Sequence, residues 1–164
     1  SSITYNNTSG NTWTAAYTAN SSDTNGTVSY SIAFSDLAGN AGTAVTSGSG
    51  SVTFDKTAPT VSSFTTTTDS GSYKADQDIV ITANTDEDIQ SGNTITITLS
   101  DSCGTVVLTA ASAGTTLAGT YTVASGNNST DLTISTFTIG TVADTAGNAM
   151  TSISLPSSIF AISL

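Results

Sequence analysis

The sequence has no histidine, one cysteine and only two basic residues among its 164 positions. Without histidine, a serine or cysteine nucleophile lacks its usual general base, and zinc and copper lack their usual ligands. The lone Cys103 cannot form a disulfide within the chain. Two basic against twelve acidic residues leave a net charge of −10, which disfavours binding to phosphate backbones. We therefore predict that the chain is not an enzyme and has no nucleic-acid partner.

Long apolar runs are also missing. No stretch approaches the ~20 apolar residues that span a bilayer, so we predict no membrane insertion within this chain. Apolar residues instead alternate with threonine and serine, most cleanly in residues 94–99 (TITITL) and 27–34 (TVSYSIAF). A period of two places the apolar side chains on one face of a strand. Many such runs, separated by Gly, Asn, Asp and Ser and with no helical period, predict an all-β fold.

An internal repeat divides the chain. SDLAGNA at residues 35–41 recurs as ADTAGNA at residues 143–149, 108 residues later, which is about the length of one β-sandwich domain. Between the copies we predict a linker at residues 54–60 (FDKTAPT), because Pro59 stops the preceding strand and stiffens the junction. The resulting prediction is a partial domain at residues 1–58, a complete domain at 59–156 and a separate tail strand at 157–164.

Three short motifs carry a family resemblance: the Asp-x-Ala-Gly-Asn loop, the junction at residues 55–60 (DKTAPT) and the opening GSYKAD of residues 71–76. In this order they resemble the Ig-like repeat modules of bacterial and archaeal cell-surface adhesins, surface-layer proteins and filament proteins. The resemblance implies tandem Ig-like β-sandwiches in an extracellular stalk, layer or filament. It also implies neighbouring modules or copies of the chain as partners, and calcium that stiffens the junctions between domains. It implies no catalytic site.

The first domain is incomplete under this interpretation. Residues 1–58 supply only about four strands, which leaves an apolar face and an unpaired sheet edge. The tail, in contrast, is predicted to be unneeded by the second domain and is apolar through Ile159, Phe160, Ile162 and Leu164. Two explanations stay open. Either the sequence is an excised piece of a longer repeat protein, or the tail of one subunit is a donor strand that completes the first domain of the next.

The acidic residues predict a calcium site at the junction. In an Ig-like domain the entering chain and the loops after the second and sixth strands lie at the same end. Ca²⁺ takes six to eight oxygen ligands from carboxylates, amides, backbone carbonyls and water. The side chains that this geometry gathers are Asp55, Asp86, Glu87, Asp88, Asp144 and Asn148.

Asp36 and Asn40 repeat the pattern in the first domain, where we expect them to face a preceding module in the same way. A second interpretation stays open for both copies of the loop. Asp and Asn often cap turns by bonding nearby backbone amides, and Gly39 or Gly147 would then supply a positive φ.

Asn-x-Ser/Thr sequons predict glycosylation sites if the chain is exported. Chance is a serious rival, because serine and threonine are so frequent in this sequence. The sequons begin at Asn6, Asn7, Asn20, Asn25, Asn127 and Asn128.

The function that fits these features is a structural subunit or module of an extracellular polymer, assembled through strand donation and stiffened by Ca²⁺. The alternative is a cell-adhesion module that binds a carbohydrate or a protein receptor. Such a module should present a concave site lined with aromatic side chains.

Overall fold

The computed structural model describes residues 3–162. Within that range the chain forms ten β-strands and no helix, so the all-β prediction is confirmed. Because the described range holds no helix, none is available there to cross a membrane. The chain divides into two compact units, the first ending at Lys56 and the second beginning at Thr57.

The first unit consists of two hairpins. Its strands are β1 (Thr4–Ser9), β2 (Thr12–Ala16), β3 (Gly26–Thr27) and β4 (Thr53–Phe54). β1 pairs with β2, and β3 pairs with β4, both antiparallel. Beyond β3 and β4 the second hairpin is held by single bridges, Ile32 to Val45 and Ser35 to Ala41, up to the turn that contains Asp36.

The apolar face of the first unit is uncovered. No described residue between positions 3 and 56 is buried, although this stretch alternates as a half-buried strand should. Trp13 is 65% exposed and Tyr30 is 45% exposed. The side chains of Ile32 and Phe34 are about half exposed as well. The expectation of an open apolar face in this part of the chain is therefore met within residues 3–56.

The second unit is one curled six-stranded antiparallel sheet. Its strands are β5 (Val61–Thr66), β6 (Asp78–Ile89), β7 (Thr94–Leu99), β8 (Thr105–Thr109), β9 (Gly114–Thr122) and β10 (Ile134–Thr141). The strand order across the sheet is β10-β7-β8-β9-β6-β5. The rings of Phe64 on β5 and Phe137 on β10 meet edge to face at 5.8 Å, although these are the two outermost strands. The sheet thus curls round until its two ends share one core.

Strict alternation fills this core. In β7 the side chains of Ile95, Ile97 and Leu99 are buried while the intervening threonines are only half-buried. β6 does the same with Ile79 and Ile81, which are fully buried. Burial of each such side chain contributes roughly 1.5–3 kcal/mol of transfer free energy. Buried side chains lie on the first four strands of the second unit as well as on its last two.

The tail is part of the second unit, and the prediction that this unit does not need it is wrong. The backbone N–H of Phe64 donates to Ser158 (2.9 Å), and Phe160 donates back to Phe64 (3.2 Å). Ile162 is 3% exposed and pairs with Leu132 through two backbone hydrogen bonds. Ile159 and Phe160 are partly buried against the same core, whereas Leu164 lies outside the described residues. The described part of the tail thus packs on the core of its own unit.

The internal repeat is longer than its seven most obvious residues. Tyr121 stands 108 positions after Trp13, and Ile162 stands 108 positions after Phe54. At the same spacing, NSSD at residues 20–23 matches NSTD at residues 128–131. The tail is therefore the counterpart of β4. The first unit corresponds to the later part of the second one, from β9 to the tail.

We expect Ile162→Ala to lower the free energy of unfolding of the second unit by about 2–5 kcal/mol, because it leaves a cavity in the core. The matched control is Ile153→Ala, at a side chain that is 61% exposed, which should cost no more than about 0.5 kcal/mol. Guanidinium denaturation of the full chain, followed by far-ultraviolet circular dichroism, measures both. Equal effects would show that the tail is not a core strand.

Candidate metal centre

A tight turn holds Asp144 in place. Its Oδ1 accepts the backbone N–H of Asn148 (2.8 Å), its Oδ2 accepts the side-chain amide of Asn148 (2.8 Å), and its own N–H donates to the Asn148 carbonyl (3.1 Å). Gly147 has a φ of +97°, a conformation that only glycine adopts easily. Burial raises the pKa of Asp144, but the hydrogen bonds from Asn148 outweigh burial and lower it. The turn therefore fixes an ionised carboxylate.

The first unit contains the same turn. Asp36 accepts from the backbone and side chain of Asn40, both at 2.8 Å, and Gly39 has a φ of +87°. The Asn40 side chain is the main cause that lowers the pKa of Asp36. Turn capping thus accounts for Asp36 and Asn40 without a ligand. Calcium binding at these two residues remains a prediction. The geometry of the turn does not require an ion there.

The end of β6 brings Glu87 to the Asp144 turn. Ile89 forms an antiparallel bridge with Asp144, the Gln90 side chain donates to the Asp144 carbonyl (2.8 Å), and Thr145 donates to the Asp88 carbonyl (3.2 Å). These bonds place a carboxylate oxygen of Glu87 within 4.8 Å of one of Asp144. The predicted pairing of these two acids is therefore present in the second unit.

Both acids of this pair are shielded from solvent. Asp144 is only 2% exposed, and one carboxylate oxygen of Glu87 is buried. The single basic residue of the second unit, Lys74, precedes β6, whereas Glu87 lies near its end, about 30 Å from the start of the strand at ~3.3 Å per residue.

The neighbouring acids have other roles. Asp86 accepts the backbone N–H of Thr60 (2.6 Å) and the Thr60 hydroxyl (2.7 Å). Burial raises the pKa of Asp86, but these bonds lower it overall. Asp86 therefore ties β6 to Thr60, the residue just before β5, which the sequence did not reveal. Asp88 is exposed. Its contact with the Asp144 turn is made by its backbone carbonyl, which accepts the backbone N–H of Thr145.

Asp55 belongs to the first unit. Its Oδ1 accepts the side-chain amide of Asn25 (3.0 Å), and Lys56 donates to the carbonyls of Ser21 (3.0 Å) and Asp23 (2.7 Å). Both residues are thus anchored where the first unit ends. Asp55 as a third calcium ligand stays a prediction.

The sequon residues differ in accessibility. Asn6, Asn7 and Asn128 are exposed. The side-chain nitrogen of Asn127 donates to the hydroxyl of Tyr121 and to the Cys103 carbonyl (3.4 Å). A glycan on Asn127 would replace these contacts, so Asn128 is the more accessible of the two adjacent sites.

Comparisons of this chain with protein-family models, curated proteins and solved structures find no match.

We expect Asn148→Ala to destabilise the second unit by about 1.5–3 kcal/mol, because a buried carboxylate loses a charge-assisted hydrogen bond. The substitution changes no charge, and thermal unfolding in excess chelator keeps metal binding out of the measurement. Asn128→Ala, at an exposed loop position, is the control and should change stability by no more than about 0.5 kcal/mol. If both variants melt alike, the turn does not depend on this bond.

Proposed function

We propose that this chain is a structural module of an extracellular polymer, a filament, surface layer or adhesin stalk, built from repeated Ig-like β-sandwiches. The observation that carries the proposal is the repeat itself. The same turn, with the same four-residue spacing between Asp and Asn and the same positive-φ glycine, occurs in both units. Repetition of one structural unit along a chain is the usual construction of extended proteins.

The connection between the units supports this role. The first unit ends at Lys56, and Pro59 follows three residues later. A short connection that contains proline restricts bending more than a glycine-serine linker would. The net charge of −10 and the many serine and threonine residues suit a solvent-exposed scaffold. The sequence has no histidine and a single cysteine, so it offers little for catalysis by histidine or by a metal-bound thiolate.

A divalent cation at Glu87 and Asp144 would strengthen the same construction. Both oxygens of Asp144 already accept a hydrogen bond, but each carboxylate oxygen has a second lone pair for a metal. The proposed ligands within the second unit are therefore Glu87 and Asp144, with Ca²⁺ favoured by the all-oxygen set.

We expect Ca²⁺ to raise the melting temperature of the full chain and a chelator to reverse the rise, because a ligand that binds only the folded state stabilises it. Glu87→Gln should abolish most of the calcium-dependent shift. Asp88→Asn removes the same charge one residue away, at an exposed position, and should retain it.

Isothermal titration with CaCl₂ on the same three proteins gives the binding itself. No heat of binding to the unmodified chain, together with identical melting in calcium and in chelator, would refute a structural calcium at this site.

Immunogold electron microscopy tests the structural role, with antibodies raised against this chain and cells that produce the protein. We expect label at repeated intervals along extracellular fibres, or across a surface layer. Label confined to the cell interior would contradict the proposal.

One observation favours the adhesion alternative. The first unit contains a groove of about 1080 Å³, and Tyr5, Tyr17 and Tyr30 are among its lining residues. A carbohydrate-binding site of this kind predicts glycan-array binding that is lost in Tyr30→Ala. The structural role is preferred because Phe54, which also lines the groove, stands 108 positions before Ile162, a core residue of the second unit.

A further inference from the structure

The groove of the first unit has an internal counterpart that shows what covers it. Trp13, at 65% exposed, corresponds to Tyr121, which is 6% exposed. Val52 and Phe54 in and beside β4 correspond to Phe160 and Ile162 of the tail. The same positions are thus apolar in both units, but Tyr121 and Ile162 are buried, whereas Trp13 and Val52 are exposed and Phe54 is only partly buried.

The covering residues in the second unit come from its first strands. Tyr121 lies opposite Ile79 of β6, whereas Trp13 lies opposite the polar Asn7 of β1. Phe160 is hydrogen-bonded to Phe64 of β5. These partners all lie between residues 57 and 108, and the first unit has no segment of that kind among its described residues 3–56.

The pairing of β10 gives the same result. Phe137 faces Ile97 of β7 across the ladder. Tyr30, which the repeat places at Phe137 with a shift of one residue beside a bulge in β10, has no β7 to pair with within the described part of its unit. An uncovered apolar face with unpaired strand edges is a site for strand addition.

We propose that the groove of the first unit binds a polypeptide segment patterned like residues 57–108, with alternating apolar side chains, supplied from outside residues 1–164. The groove has a volume of about 1080 Å³, and the apolar side chains of Ile3, Val28 and Ile32 are among its lining residues, which suits a segment with alternating apolar side chains. The tail of this chain is not the occupant, because Ile162 is already a core residue of the second unit. This inference deepens the proposed function by naming the partner, and it rests on that function only for the view that modules follow one another.

The test fuses a second copy of residues 57–108 directly before Ser1 of the full chain, which reproduces the 108-residue spacing of the repeat. Trp13 is the single tryptophan and lies in β2, whose Ala15 and Ala16 line the groove, so its fluorescence reports on the first unit beside the groove. We expect its emission to move to shorter wavelength and its quenching by iodide to fall several-fold, with the protein still monomeric.

The matched control carries Ile79→Ser and Ile97→Ser in the fused copy only, which removes the covering face and leaves the original second unit intact. It should leave Trp13 as exposed as in the unfused chain. Exposed tryptophan in both fusions would overturn the proposal.

A second copy of the chain is the other conceivable occupant. If Trp13 of the unfused chain becomes protected as concentration rises, in step with dimer formation, the groove is a self-association site and the proposed occupant is wrong. Neither result decides the structural role, because the cell-surface label does not depend on Trp13.

Discussion

A β-sheet with one apolar face must have that face covered, and the two units differ in whether it is. In the second unit the sheet curls until Phe64 and Phe137 meet, and the tail returns to bury Ile162. In the first unit the same alternation ends in side chains such as Trp13 and Phe34 that remain more than half exposed. Burial of apolar area is the largest favourable contribution to folding. Within the described residues the second unit has this contribution, whereas the first unit has little of it.

Local hydrogen bonding behaves differently from burial. The turn at Asp36 and the turn at Asp144 have matching bonds to Asn40 and Asn148, although one lies in an uncovered unit and the other beside a filled core. Such a turn is fixed by residues four apart and by a glycine with positive φ, so it forms without long-range packing. At Asp144 the end of β6 also brings Glu87 close, with carboxylate oxygens of the two residues within 4.8 Å of each other.

Alternation was enough to predict the strands that build the core. The buried Ile95 and Ile97 of β7 are readable from TITITL, and the repeated loop identified both turns and their acids. The tail was misjudged because eight residues after a proline carry no sign of which face they will fill. Its correspondence with β4 depends on two apolar positions, Phe160 and Ile162, in an otherwise dissimilar segment. The bond between Asp86 and Thr60 joins residues far apart in sequence, and no local pattern encodes it.

Two pairs of backbone hydrogen bonds allow a direct test of the central claim. The claim is that the two units differ in whether their apolar faces are covered and not in their hydrogen bonding. Ile32 and Val45 exchange N–H to carbonyl bonds of 2.9 and 3.0 Å, and Leu132 and Ile162 exchange bonds of 2.6 and 3.1 Å. Amide hydrogen exchange of the full chain, resolved by residue, compares them. The account predicts that the Leu132 and Ile162 amides exchange only through global unfolding, orders of magnitude more slowly than those of Ile32 and Val45. Equal protection of the two pairs would contradict it.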